Sequence, residues 1–215
     1  GGQHAATVTS TADEVNVVTQ LAGSWNVHNA ILAQQLAVSV GVSADLAMAG
    51  IASLSNVPGR LESVQVEGNA IAGFVDYAHT PDALALALQA LQLHVPGKVT
   101  CVFGCGGNRD KGKRALMAQA AERFANKIIV TSDNPRNEDP NAIIADILAG
   151  FNDSNRILSE IDREQAIKVA IEQAEPDEVI LIAGKGHEDY QLIGGQVLPF
   201  CDRAQVVKYL KGYSQ

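Results

Sequence analysis

The sequence predicts an open α/β sheet, mostly parallel, with helices covering both faces. Four short runs, at 72–76, 99–103, 127–131 and 179–183, are apolar almost without interruption, as strands buried on both faces must be. A longer segment of helical periodicity follows each run, the signature of strands joined by crossover helices.

The elements follow in chain order. After the first run, residues 80–93 repeat Leu and Ala at helical spacing. Thr80 is placed as the N-cap, and Pro81 stands at the first helical position, where a missing N–H loses no hydrogen bond. Segments 113–125, 140–148 and 163–174 behave alike, the last two entered through Asp139 and Asp162 as caps. A weaker run at 156–161 predicts one more strand, and residues 191–200 around Gly194-Gly195 read as a hairpin. The expectation is a Rossmann-like open sheet of five or six strands. The sequence before Gly59 differs in kind: a strand or two, then Ala/Leu/Val-rich helices at 26–40 and 44–54. Val57-Pro58-Gly59-Arg60 breaks the pattern, so the domain boundary falls near Pro58, giving domains 1–58 and 59–215.

Composition narrows the function classes. With 215 residues and 47% hydrophobic content the chain can bury a real core. Its 24 acidic residues outnumber 16 basic ones, and no basic block stands out, so nucleic acid is not an expected partner. No apolar run approaches the roughly 18 residues of a membrane span, and Gly1, Gly2, Gln3 and His4 carry no signal pattern. Cys101, Cys105 and Cys201 form no C-x-x-C pair, which predicts reduced thiols, no metal site and a cytoplasmic protein.

Ligands of parallel sheets collect beyond the carboxyl ends of the strands. Three loops there concentrate the unusual chemistry: Gly104-Cys105-Gly106-Gly107-Asn108-Arg109-Asp110-Lys111-Gly112-Lys113-Arg114, Ser132-Asp133-Asn134-Pro135-Arg136 and Gly184-Lys185-Gly186-His187-Glu188-Asp189. Each alone also reads as a plain turn, and Gly184-Lys185-Gly186 is not a phosphate loop, which needs G-x-x-x-x-G-K-[ST]. Cations at a helix start oppose its dipole and call for an anionic partner. That argument, with the shared edge, favours a binding site.

Trp25-Asn26-Val27-His28-Asn29-Ala30, Pro58-Gly59-Arg60-Leu61-Glu62, Val75-Asp76-Tyr77-Ala78-His79-Thr80-Pro81-Asp82, the glycine-rich stretch, Asp133-Asn134-Pro135-Arg136 and Gly184-Lys185-Gly186-His187-Glu188 stand in this order. Together they resemble the C-terminal portion of the Mur ligase family, in its diaminopimelate-adding branch, over nearly the whole chain. Departures are Trp25 for the family's usual Phe and Asn108 where Asp is common. The family's N-terminal UDP-sugar domain, its phosphate loop, and the metal-binding and carbamylated-lysine parts of its central domain have no counterpart here. The resemblance implies that 1–58 is the helical tail end of a central ATP-binding domain and 59–215 an amino-acid-binding domain. It also implies a fragment that is inactive without the missing N-terminal and central domains.

The implied reaction is cytoplasmic and belongs to peptidoglycan precursor synthesis. ATP, with Mg2+, phosphorylates the D-glutamate carboxylate of a UDP-N-acetylmuramoyl dipeptide, and an amine of meso-diaminopimelate attacks the acyl phosphate. Such a site must orient the amine and stabilise a tetrahedral oxyanion. The resemblance makes Arg136 the principal recognition residue, because lysine-adding relatives lack it and a guanidinium fork grips a carboxylate bidentately. It gives Arg109 the other carboxylate, Asn134 and the Gly184 backbone hydrogen bonds to substrate, and Glu188 and Asp133 the ammonium groups. Pro135 fixes the loop so that Arg136 is pre-aimed. Asn26 and Asn29 face adenine, Arg60 and Asp76 the ribose, and His79 and Lys111 the transferring phosphate, with no metal ligand in the chain. Two other readings stay open: a lysine-adding or folylpolyglutamate-type ligase, and a non-catalytic amino-acid-binding domain.

Overall fold

The computed structural model describes residues 4–9, 14–19, 24–54, 56–94 and 97–212. The expectation about the leading residues Gly1 to Gln3 lies outside them. The chain divides into two compact units, Gly1–Val57 and Pro58–Gln215. In the first, strands β1 (His4–Thr9) and β2 (Glu14–Thr19) pair antiparallel, followed by helices α1 (Ser24–Ser39) and α2 (Ala44–Ala52). Ser43 caps α2 by accepting the Leu46 N–H, and Val27, Ala30 and Ile51 form a small buried cluster with Ile31 and Met48 against it.

The second unit is built on a six-stranded sheet ordered β3-β4-β8-β5-β6-β7. Its strands are β3 (Glu62–Val64), β4 (Ala72–Asp76), β5 (Val99–Phe103), β6 (Lys127–Val130), β7 (Ile157–Ser159) and β8 (Val179–Ala183). The last five run parallel, and β3 adds an antiparallel edge to β4. Strand β3 has only three residues, too few to show a period, which is why the sequence pattern passes over it.

Helices α3 (Pro81–His94), α4 (Lys113–Phe124), α5 (Pro140–Leu148) and α6 (Arg163–Glu172) lie where the periodicity predicts. Thr80 Oγ1 accepts the Ala83 N–H, Asp139 accepts from Asn141, and Asp162 accepts from Glu164 and Gln165, so the caps use polar side chains as expected. A further helix, α7 (Asp202–Gly212), was not anticipated, although its buried Val206 and Leu210 are four residues apart on one face.

The core follows strand alternation. Val75, Val102, Ile129, Ile180 and Ile182 pack with Ala166, Ile167, Ala170 and Ile171 of α6 and with Val206 and Leu210 of α7. The alternate residues Cys101, Phe103, Ile128, Val130 and Leu181, equally buried, project from the opposite face. Leu84, Leu88, Met117, Ala121, Ile143 and Ile147 are among the buried residues of α3, α4 and α5.

Burial also sets the cysteine chemistry. Cys101 and Cys105 are buried, and loss of hydration pushes both thiols up, Cys105 to about 12, whereas Cys201 is half-buried. Alkylating the native chain at about pH 8 is expected to add one label, on Cys201, as read by peptide mass. Labelling of Cys101 or Cys105 before unfolding would contradict this packing.

Candidate functional site

Because β4, β5, β6 and β8 are parallel, the loops that follow them leave one edge of the sheet. Close backbone approach welds these loops together. Gly104 has no room for a side chain, since a β-carbon there would lie 2.1 Å from Thr131 O. Gly184, at φ +119, would place one 2.5 Å from Asp133 Oδ2, and its N–H donates to Asp76 O at 3.0 Å.

Gly106 lies between the Arg136 guanidinium and the stem of Arg109. A β-carbon on Gly106 would lie 2.9 Å from Arg136 Nη1 and 3.8 Å from Arg109 Cγ. Arg109 is exposed and has no ion-pair partner among the described residues. Arg136 is half-buried, and its Nη1 donates to Gly107 O at 2.9 Å, leaving the rest of the fork for a ligand.

What aims Arg136 is not Pro135 by itself. A proline fixes its own φ, and Arg136 adopts φ +55, a left-handed conformation uncommon for a non-glycine residue. That conformation is held by the hairpin of β9 (Tyr190–Ile193) and β10 (Gln196–Pro199). The Arg136 N–H donates to Leu192 O at 2.8 Å, and Gly194 N–H donates to Arg136 O at 2.7 Å. The same strand holds the residues before it: Gln191 Nε2 donates to Asp133 O, and Leu192 N–H donates to Asn134 Oδ1.

Lys185, given no role from sequence, turns out to organise the third loop. Its ammonium is fully buried, 3.0 Å from Glu188 Oε2 and 3.2 Å from Asn134 Oδ1. Asn134 Nδ2 donates to the same Glu188 Oε2 at 2.9 Å. Both contacts fall on one carboxylate oxygen, so Glu188 Oε1 is left to accept from a ligand. Asp133 is buried beside Gly184, and desolvation raises its pKa despite Arg163 and Lys185 nearby. It is therefore not an exposed contact in the crevice.

The cation cluster at the start of α4 needs a different account from the one its sequence suggests. Arg114 is 1% exposed and pairs with Glu138 and Asp146, Lys111 lies 3.6 Å from Glu138, and Lys113 donates to His79 O at 2.9 Å. The anions that balance this helix start are largely the protein's own.

On the loop after β4, His79 is exposed, with Nδ1 2.8 Å from Tyr77 O. A carbonyl only accepts, so Nδ1 carries a proton and donates it. Asp76 takes the N–H groups of Leu61 and Ala78 on its two oxygens, and burial raises its pKa. The Arg60 guanidinium stacks 5.1 Å from the Tyr77 ring centre. In the first unit Asn26 is buried and Asn29 exposed. No group of three His, Cys, Asp or Glu gathers to hold a metal among the described residues, and no described helix is long and apolar enough to cross a membrane.

A cavity of about 360 Å³ lies at the opposite end of the strands, walled by Ile128, Ile157, Leu158 and Ala170. Its cations Lys127 and Arg156 are already held by Glu178 and by the carbonyls of Gln173, Glu122 and Ala125. Neither cation of this cavity is free for a ligand, whereas Arg109 at the carboxyl edge is exposed.

Comparison with known proteins identifies the family. Residues 59–186 match the family described as Mur ligase, glutamate ligase domain. The chain is 50% identical over 191 residues to a UDP-N-acetylmuramoyl-L-alanyl-D-glutamate--2,6-diaminopimelate ligase of Haemophilus influenzae, covering 89% of this chain and 39% of that protein. It is 46% identical over 193 residues to the ligase of the same name from Prochlorococcus marinus, covering 90% and 38%. A solved structure of a ligase of that name superposes with a TM-score of 0.71 at 40% identity, covering 97% of this chain and 42% of that one. The chain thus spans about two fifths of the length of these relatives.

Proposed function

The chain belongs to the Mur ligase family, and from that premise we propose that it is the amino-acid-binding part of an ATP-dependent, cytoplasmic ligase. Its reaction joins meso-diaminopimelate to UDP-N-acetylmuramoyl-L-alanyl-D-glutamate. The observation that carries the substrate reading is that the Arg136 guanidinium and the stem of the exposed Arg109 flank Gly106, on the sheet edge that also holds a half-anchored Glu188.

The chemistry is amide formation through an acyl phosphate. The amine adds to the acyl carbon, a C–N bond forms, the C–O bond to phosphate breaks, and the amine loses a proton. This chain's part is to orient the amino acid. Arg109 and the free edge of the Arg136 fork take carboxylates, Glu188 Oε1 takes an ammonium, and the second N–H of Asn134 reaches the substrate. Glycine 184 contributes its carbonyl, since its N–H is engaged with Asp76. Asp133 is the buried carboxyl assigned with Glu188 to the ammonium groups, and Pro135 shapes the turn. Diaminopimelate suits this set because it offers a carboxylate and an ammonium at each end, whereas lysine's far end has no carboxylate.

His79 and Lys111 are assigned to the phosphate being transferred, and Arg60 and Asp76 to the ribose of ATP. The adenine-facing role of Asn26 and Asn29 rests on the family resemblance alone. The side chains described offer no cluster of three His, Cys, Asp or Glu for Mg2+.

Calorimetric titration of meso-diaminopimelate and L-lysine into the 215-residue chain tests the reading. We expect diaminopimelate to bind at least about tenfold more tightly, since each charge-assisted contact is worth about 1.5–3 kcal/mol. Equal affinities, or no binding of diaminopimelate, would overturn it and favour the other amino-acid ligases.

A further inference from the structure

The two loops that carry the arginines do not hold their shapes separately. Gly107 N–H donates to Asn134 O at 2.9 Å, Arg136 Nη1 donates back to Gly107 O at 2.9 Å, and Asn137 N–H donates to Asn108 Oδ1 at 3.2 Å. A β-carbon on Gly107 would lie 2.0 Å from Pro135 O and 3.2 Å from Glu138 Cβ, so the loops approach backbone to backbone with no room for a side chain between them. Asn108, immediately before Arg109, sits at φ +53, and such a conformation persists only where the surroundings impose it.

Glu138 is what imposes it. Its Oε1 accepts the Asn108 N–H. Its Oε2 accepts from Arg114 Nη2 at 2.9 Å and lies 3.6 Å from Lys111 Nζ. Arg114 is buried and braced in turn by Asp146 of α5 at 2.7 Å. A continuous set of contacts therefore runs from α4 and α5, through one carboxylate, to the residue that launches Arg109. The Arg114 bond and the Asn108 N–H hold the Glu138 carboxyl below the usual carboxylate range, so it is ionised near neutral pH.

We propose that Glu138 is a positioning residue for the amino-acid site, setting the spacing between Arg109 and Arg136 by fixing Asn108 and holding Lys111 at its side. It touches no substrate itself. This rests on the reading of the crevice as the amino-acid site. Its firm bonds are to Asn108 and Arg114, on the loops that grip the amino acid. Lys111, assigned to the transferring phosphate, is exposed and only loosely paired at 3.6 Å, so an effect reaching it falls on kcat and not on KM for ATP.

The test is steady-state kinetics of the intact ligase that carries this chain, with all three substrates varied and melting temperatures recorded. Glu138→Gln keeps the volume and an oxygen for Asn108 but removes the charge that faces Arg114 and Lys111. It is expected to raise KM for meso-diaminopimelate at least about threefold, with KM for ATP and for the nucleotide dipeptide within about twofold, as a small loss of orientation predicts. Glu138→Ala, which frees Asn108 as well, is expected to raise the same KM about tenfold or more. An unchanged amino-acid KM in Glu138→Gln, or a common shift in all three KM values, overturns the proposal. Should wild-type enzyme use another amino acid, the substrate reading fails by itself, and the same comparison made with that amino acid still decides the role of Glu138.

Discussion

Replacing Arg136 with alanine in the intact ligase is expected to lower kcat/KM for meso-diaminopimelate by about 10²–10³-fold, or about 3–4 kcal/mol. Two losses combine. One is the charge-assisted grip on a carboxylate, worth about 1.5–3 kcal/mol. The other is the Nη1 bond to Gly107 O, which helps hold the glycine-rich loop under Arg109. The backbone adds little, because alanine at φ +55 is strained much as arginine is. Arg136→Lys is not expected to rescue activity, since one ammonium cannot reach Gly107 O and a ligand carboxylate with the geometry of a fork. Any rate with L-lysine should fall far less. Kinetics with both amino acids check this, and unchanged discrimination would remove Arg136 from its role.

The second large effect is on stability. Arg163 is completely buried, with Nε and Nη2 on the two oxygens of Asp202 at 2.7 and 2.8 Å. Its Nη1 and Nη2 also donate to Ser132 O and Ala183 O, which fasten the ends of β6 and β8 just before Asp133 and Gly184. Arg163→Met leaves Asp202 buried without its partner and is expected to destabilise the second unit by about 3–5 kcal/mol, a fall in Tm of roughly 10 °C. Pairing it with Asp202→Leu should recover much of the loss, because replacing both charges removes the desolvation penalty along with the attraction. Melting of the two variants decides it, and an Arg163→Met protein as stable as wild type would show that the pair contributes nothing.

The same substitution changes the pH profile through Asp133. Desolvation holds this carboxyl above its ordinary value, with Arg163 the first of the charges opposing the rise. The native state then binds more protons than the unfolded chain, so the contribution of Asp133 to stability falls as pH climbs from the ordinary Asp range through the raised value. In Arg163→Met that window should extend to higher pH, whereas Asp133→Asn should abolish this component. Melts across the acid-to-neutral range would read both.

The sequence by itself determined the layers and the edge of the site. Apolar runs with helical segments between them require a parallel sheet, and a parallel sheet sends the loops bearing Arg109, Arg136 and Glu188 to the same end. The caps Thr80, Asp139 and Asp162 were equally legible, because capping joins residues two or three apart. The tertiary structure decided which side chains face a ligand and which hold others in place. Lys185 reads as a solvated turn residue until Asn134, 51 positions away, is found beside it. Arg114 reads as an anion-seeking cation until Glu138 and Asp146 close on it, and the aim of Arg136 depends on a hairpin more than fifty residues downstream. The physical reason is range: periodicity and capping are local and leave a trace in adjacent residues, whereas burial of a charge and the partner that balances it exist only once distant segments have packed.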